Sequence, residues 1–84
     1  MEYQINLKPS AQKDLDRLPS EEIKRIAIRL KQLSINSRPV GIQKLSKDEG
    51  YRIRTGKYRI LFLIDDEKKI INVYRIKHRK DAYK

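Results

Sequence analysis

Tyr51-Arg52-Ile53-Arg54-Thr55 and Tyr58-Arg59-Ile60-Leu61-Phe62 are two strand-like runs separated only by Gly56-Lys57. A two-residue connection with glycine in first place fits a type II′ turn, whose twist matches that of the strands it joins. The turn fixes a register. Thr55 faces Tyr58, Arg54 faces Arg59, Ile53 faces Ile60, Arg52 faces Leu61 and Tyr51 faces Phe62. Side chains alternate between the faces of a sheet, so Tyr51, Ile53, Ile60 and Phe62 line one surface while Arg52, Arg54 and Arg59 gather on the other. The first surface reads as core. Like charges directly opposite each other are unfavourable, and an anion held between Arg54 and Arg59 would relieve them. The plainer reading is a solvated face whose arginines pair with acids such as Asp48 or Glu49.

The rest of the chain supplies what such a hairpin packs against. Tyr3 to Leu7 alternates apolar and polar residues as a half-buried strand does, and Pro9-Ser10 punctuates it. Ser10 is a candidate N-cap for a short helix carrying Ala11, Leu15 and Leu18, which Pro19 stops. Ser20 can cap again, Glu21 and Glu22 suit the first turn, and Ile23, Ile26, Ala27, Leu30 and Leu33 form an apolar stripe. Residues 36–50 hold Pro39, Gly41 and Gly50 and read as a loop, with a short extended piece near Gln43 to Leu45. Tyr51 to Thr55, Tyr58 to Ile64 and Ile70 to Ile76 complete a three-stranded meander. If the second hairpin turns around Asp66-Glu67, Ile71 and Val73 fall on the core face and Tyr74, Ile76 and His78 on the arginine face. The expected architecture is α+β: an N-terminal strand, a two-helix hairpin, then an antiparallel meander packed on the helices, a βααβββ order in two layers.

At 84 residues the chain is one domain, 1–84, with little stability to spare. Lys and Arg total 21 against 11 acids, a net charge of +10, which points to a polyanionic partner and first to nucleic acid. No apolar run approaches the length of a membrane span, no signal peptide pattern opens the chain, and no helix pairs a long apolar face with a basic one. A cytoplasmic protein without a membrane partner is expected. Without cysteine there is no disulfide, zinc-thiolate site or thiol nucleophile. Asp65-Asp66-Glu67 sit at a hairpin tip and diverge, whereas a metal site needs converging carboxylates. His78 is the sole histidine, which rules out a two-histidine acid/base pair. Cationic phosphate chemistry is what remains. The carboxyl tail, Lys77 to Lys84, adds cations, a histidine and a tyrosine that either hold RNA or fray.

Tyr51-Arg52-Ile53-Arg54, Gly56-Lys57-Tyr58-Arg59-Ile60 and His78-Arg79 with Tyr83 close behind resemble the RelE/ParE toxin superfamily. The upstream strand, helices and loop fit the family's element order, while the motif residues lie in the last part of the chain. The resemblance implies a toxin of a type II toxin-antitoxin system: a RelE-like mRNA interferase that cuts mRNA in the ribosomal A site. The RNA 2′-hydroxyl attacks the adjacent phosphate, leaving a cyclic phosphate and a free 5′-hydroxyl, with no metal and no cofactor. By matching position Arg59 clamps the scissile phosphate and Arg54, with Arg52, assists it. Arg79, or His78 in its place, serves the leaving group, and Tyr83 orients or deprotonates the 2′-hydroxyl. Lys44, Arg52, Lys57, Lys77 and His78 bind RNA. Implied partners are the 70S ribosome with its mRNA and a RelB-like antitoxin that wraps the basic face with an acidic or amphipathic segment. Two alternatives stand: a ParE-like inhibitor of DNA gyrase, and a non-enzymatic RNA-binding module.

Overall fold

The apolar stripe of residues 20–35 needs a surface to cover, and the alternating strands of the carboxyl half provide it. In the computed structural model, which describes residues 2–45 and 50–82 and excludes the side chains of 81 and 82, β1 spans Gln4–Leu7, α1 Pro9–Asp16 and α2 Ser20–Ile35. Then come β2 (Gln43–Lys44), β3 (Tyr51–Thr55), β4 (Tyr58–Asp65), β5 (Ile70–His78) and a final turn of helix, α3 (Arg79–Ala82). The five strands form one sheet in the order β1-β5-β4-β3-β2. β1 runs parallel to β5 and every other pair is antiparallel.

Both helices lie over one face. Ala11 of α1 and Ile26, Leu30 and Leu33 of α2 share a core with Ile53, Ile60, Phe62, Ile71, Val73 and Ile76. Burying each of the larger of these side chains contributes roughly 1.5–3 kcal/mol. Ile23 of the expected stripe is half-buried and Ala27 is exposed. The expected α+β layout holds, with β2 as a fifth strand in the place of the short extended piece.

Neither serine read as a cap occupies the capping position. Helix α1 starts at Pro9 with Lys8 in the capping position and no side-chain cap, and the Ser10 hydroxyl donates to the Tyr74 carbonyl at 2.6 Å. Helix α2 has Pro19 in the capping position, with Glu21 and Glu22 in its first turn facing the positive end of the helix dipole.

The first hairpin has the register counted from its turn, from Thr55 opposite Tyr58 to Tyr51 opposite Phe62. The second departs from expectation. Residues 66–69 form its turn, and β4 and β5 slip by one between Leu61 and Phe62: Leu61 faces Arg75, but Phe62 faces Val73. Tyr74 is the extra residue of a β-bulge, which reverses the alternation of everything after it. Ile71 and Val73 are core, as expected. Ile76 is also core, 4% exposed, opposite Ile60, and His78 lies on that same helix-covered face. The placement of Ile76 and His78 on the arginine face is therefore corrected, and Lys77 takes that place.

Beyond Val73, where β1 stops, β5 is an edge. Helix α1 covers it. Besides Ser10 on Tyr74, the Asp14 carboxylate accepts the Ile76 N–H at 2.9 Å and Arg75 Nε at 2.8 Å. Burial by itself raises the Asp14 carboxyl; the hydrogen bonds from Arg75 and the Ile76 N–H outweigh it and hold the group below the usual carboxylate range.

Candidate functional site

Three cations lie in a row across the face the helices leave open. Arg54 of β3 faces Arg59 of β4, and Arg59 faces Lys77 of β5. Arg59 is only 5% exposed, the one buried charged residue among those described. Arg52 lies two residues back along β3, opposite Leu61 on one side and Gln43 of β2 on the other. A cavity of about 360 Å³ opens over these strands, lined by Gly41, Gln43, Arg52, Arg54 and Arg59. Cations this close on one surface are a poor arrangement for stability and a good one for receiving a phosphate, since guanidinium groups present paired donors to its oxygens.

Short links aim the rim of this cavity. Gln43 Oε1 accepts Arg52 Nε at 2.8 Å, which fixes the plane of that guanidinium. Gly41 turns the chain into β2 with φ at +93°, and a Cβ there would meet nothing, so glycine is used for its backbone conformation. The loop before it is pinned by Arg38. That side chain makes two hydrogen bonds to Asp66, at 2.9 and 3.2 Å, and its guanidinium carbon lies 5.7 Å from the centre of the Tyr51 ring. Hydrogen bonds from Arg38 and then from Tyr3 push the Asp66 carboxyl down to about 2, and the same pairing raises Arg38. Neighbouring Asp65 accepts the Lys68 N–H instead, so these two carboxylates are engaged separately.

The other expected site residues distribute around the row. Lys57 is exposed at the tip of the first hairpin, and its carbonyl accepts the Arg79 N–H at 2.6 Å. That bond carries the β4–β5 pairing one step past His78 and starts α3, with Arg79 exposed, at the same end of the sheet as Arg54, Arg59 and Lys77. Lys44 pairs with Tyr51, which puts it on the other face from Arg52, exposed at the sheet edge. His78 pairs with Tyr58 on the helix-covered face, their rings edge to face with centroids 5.3 Å apart. Its Nδ1 accepts the Lys80 N–H at 3.2 Å. Tyr83 lies outside the described residues. Gln43 and Gly41 are the additions. Gln43 sits in the extended piece seen in the sequence, but the loop joining it to β3 is too long for turn geometry to set their register.

Comparison with known proteins places this fold in a family. The model of the family described as ParE toxin of type II toxin-antitoxin system, parDE, matches residues 5–83. A putative toxin RelE1 from Methanocaldococcus jannaschii is 31% identical over the whole of this chain and 98% of its own length. Toxin RelG from Mycobacterium tuberculosis is 28% identical, again over the whole chain and 99% of its own length. Among solved structures, a chain of the toxin-antitoxin complex RelBE2 from M. tuberculosis superposes with a TM-score of 0.81 at 25% identity, covering 94% of this chain and 100% of that one. A free E. coli toxin RelE mutant shares the fold, with a TM-score of 0.82 at 21% identity over 99% of this chain and 90% of that one. A family match across nearly the whole chain and relatives matched end to end make this chain a member of the RelE/ParE family of toxins of type II toxin-antitoxin systems.

Proposed function

We propose that the protein is a ribosome-dependent endoribonuclease that cuts mRNA in the A site and so halts translation. The observation that carries this reading is Arg59, buried between Arg54 and Lys77 over a cavity sized for a phosphate and its neighbours. The relatives named RelE support it.

In this reading the RNA 2′-hydroxyl forms the new bond to phosphorus and the 5′-oxygen of the next nucleotide leaves. Products are a 2′,3′-cyclic phosphate and a free 5′-hydroxyl. Arg59 and Arg54 hold the phosphoryl oxygens as negative charge grows on them, which a preorganised cation stabilises more in the transition state than in the ground state. Arg52, held by Gln43, grips a phosphate beside the scissile one, and Lys57 and Lys77 add charge at the ends of the row. Arg79 rather than His78 serves the leaving oxygen, because His78 faces away from the row and its Nδ1 is engaged with Lys80. Tyr83 orients or deprotonates the 2′-hydroxyl.

Several solved relatives are RelB–RelE complexes, which supports a cognate RelB-like antitoxin as partner. An acidic segment across the arginine row would neutralise it. The match to the ParE family model favours a second reading, inhibition of DNA gyrase. Primer extension on programmed ribosomes separates the two. Protein stripped of bound metal with EDTA and desalted, beside Arg59→Ala, should give cuts confined to the A-site codon and lost in the variant. Intact mRNA from folded, antitoxin-free protein, with gyrase supercoiling blocked, would transfer the assignment to the second reading.

A further inference from the structure

A second cleft, of about 520 Å³, opens where β5 runs past the end of α1, lined in part by Arg17, Leu18, Tyr58, Lys77 and His78. Lys77 belongs to both places: it faces Arg59 in the cationic row and lines this cleft. Row and cleft therefore meet at β5, the strand next to that of Arg59. We infer that the cleft is a nucleotide subsite, where single-stranded RNA whose scissile phosphate lies on the row lays a flanking nucleotide, with its base against Tyr58 and Leu18 and its phosphate toward Arg17. The inference rests on the RNA-cleaving reading above and extends it around the edge of the sheet.

Charge and chemistry favour this occupant. The carboxylate lining the cleft, Asp14, is already bonded to Arg75 and the Ile76 N–H, so it answers no cation of a ligand, while Arg17 is exposed. Because His78 Nδ1 accepts a backbone N–H, the neutral imidazole carries its proton on Nε2, a donor suited to a base edge or phosphate oxygen. Tyr58 and Leu18 are half-buried and apolar, a platform for a base of any identity. A peptide strand is disfavoured as occupant, because Ser10 and Asp14 already occupy the Tyr74 carbonyl and the Ile76 N–H along that edge.

The test is binding of two RNAs made uncleavable by a 2′-deoxy substitution at the central nucleotide, a trimer and a ten-mer, read by fluorescence anisotropy at several salt concentrations. Arg17→Ala should weaken the ten-mer several-fold and lower its salt slope by about 0.7, one phosphate contact on a single strand, with the trimer unaffected. Tyr58→Leu should weaken the ten-mer about 5-fold or more with the slope unchanged. Lys24→Ala, an exposed cation on α2, is the control for general charge and should match the parent. Parent-like ten-mer binding by Arg17→Ala overturns the subsite and leaves the cleft to a protein partner; equal weakening of both RNAs overturns it too. If Arg59→Ala weakens both RNAs while Arg17→Ala weakens neither, the subsite falls and the cleavage reading stands. A parent protein that binds neither RNA overturns the subsite, and the cleavage reading is then decided by the primer-extension assay on ribosomes.

Discussion

Arg54 and Arg59 face each other directly across β3 and β4, and Arg59 is buried while doing so. A domain of this size folds on a margin of about 5–15 kcal/mol, and opposed like charges in a sheet oppose it. Function and stability should therefore separate at this pair. Arg59→Leu is expected to lower cleavage of ribosome-bound mRNA by about 100-fold to 1,000-fold. The fold should be retained, because an apolar side chain takes the place of a buried charge that faces Arg54 and Lys77. A fall in melting temperature of more than about 5 °C, roughly 1 kcal/mol in a domain this small, would make the guanidinium a structural element instead.

Gln43 is expected to act as a positioning residue through Arg52. Gln43→Ala leaves Arg52 Nε without its partner and should reduce the cleavage rate about 10-fold with little change in fold or in RNA affinity. Gln43→Glu keeps an acceptor at the same place and should recover most of the rate. Single-turnover kinetics on both variants provides the check: equal loss in both would mean that the hydrogen bond does not orient the guanidinium.

Acid should loosen the molecule through two carboxylates. Asp66 is pushed down to about 2 from an ordinary 3.8 and Asp14 is also lowered, so both bind protons more readily unfolded than folded. The stabilisation from Asp66 is present above about pH 4 and is lost as pH falls toward 2, and that from Asp14 is lost in the same direction. Thermal melts across that window should show a steep decline, shallower in Asp66→Asn, whose plateau at neutral pH is lower because the Arg38 clamp is broken. A parent-like slope in that variant would show that the clamp contributes nothing to the acid limb.

Removing Asp14 should do more than break an ion pair. Asp14→Ala strips the Ile76 N–H of its acceptor at the covered edge of β5, at a cost of about 1–3 kcal/mol. Arg75→Ala leaves that bond in place and should cost less. Chemical denaturation of the two variants ranks them, and the reverse order would put the ion pair above the edge bond.

What was legible in the sequence had a local cause. The Gly56-Lys57 turn fixed every pair of the first hairpin, and with it the cationic row from Arg54 to Arg59. The apolar spacing of residues 20–35 gave the long helix and its buried stripe. Ile76 and His78 were misplaced, and the face of Lys44 could not be read, for non-local reasons. The register of Lys44 depends on a loop closed by Arg38 and Asp66, 28 residues apart in sequence. The face taken by His78 depends on the bulge at Tyr74, which no turn residue announces. Ser10 could not be read correctly because its hydroxyl is claimed by a carbonyl 64 residues away.

The bulge has one further effect. With the extra residue at Tyr74, β5 carries two phases: Ile71 and Val73 keep step with the core, whereas Lys77 keeps step with the arginines because the count restarts between them. The two halves of the strand can thus be altered independently. Were Tyr74 paired in step with the ladder instead of bulged out of it, Lys77 would swing under the helices and His78 would turn outward, exchanging a cation for an imidazole beside Arg59. Whether one residue stands in the ladder or outside it decides which chemistry this end of the sheet offers.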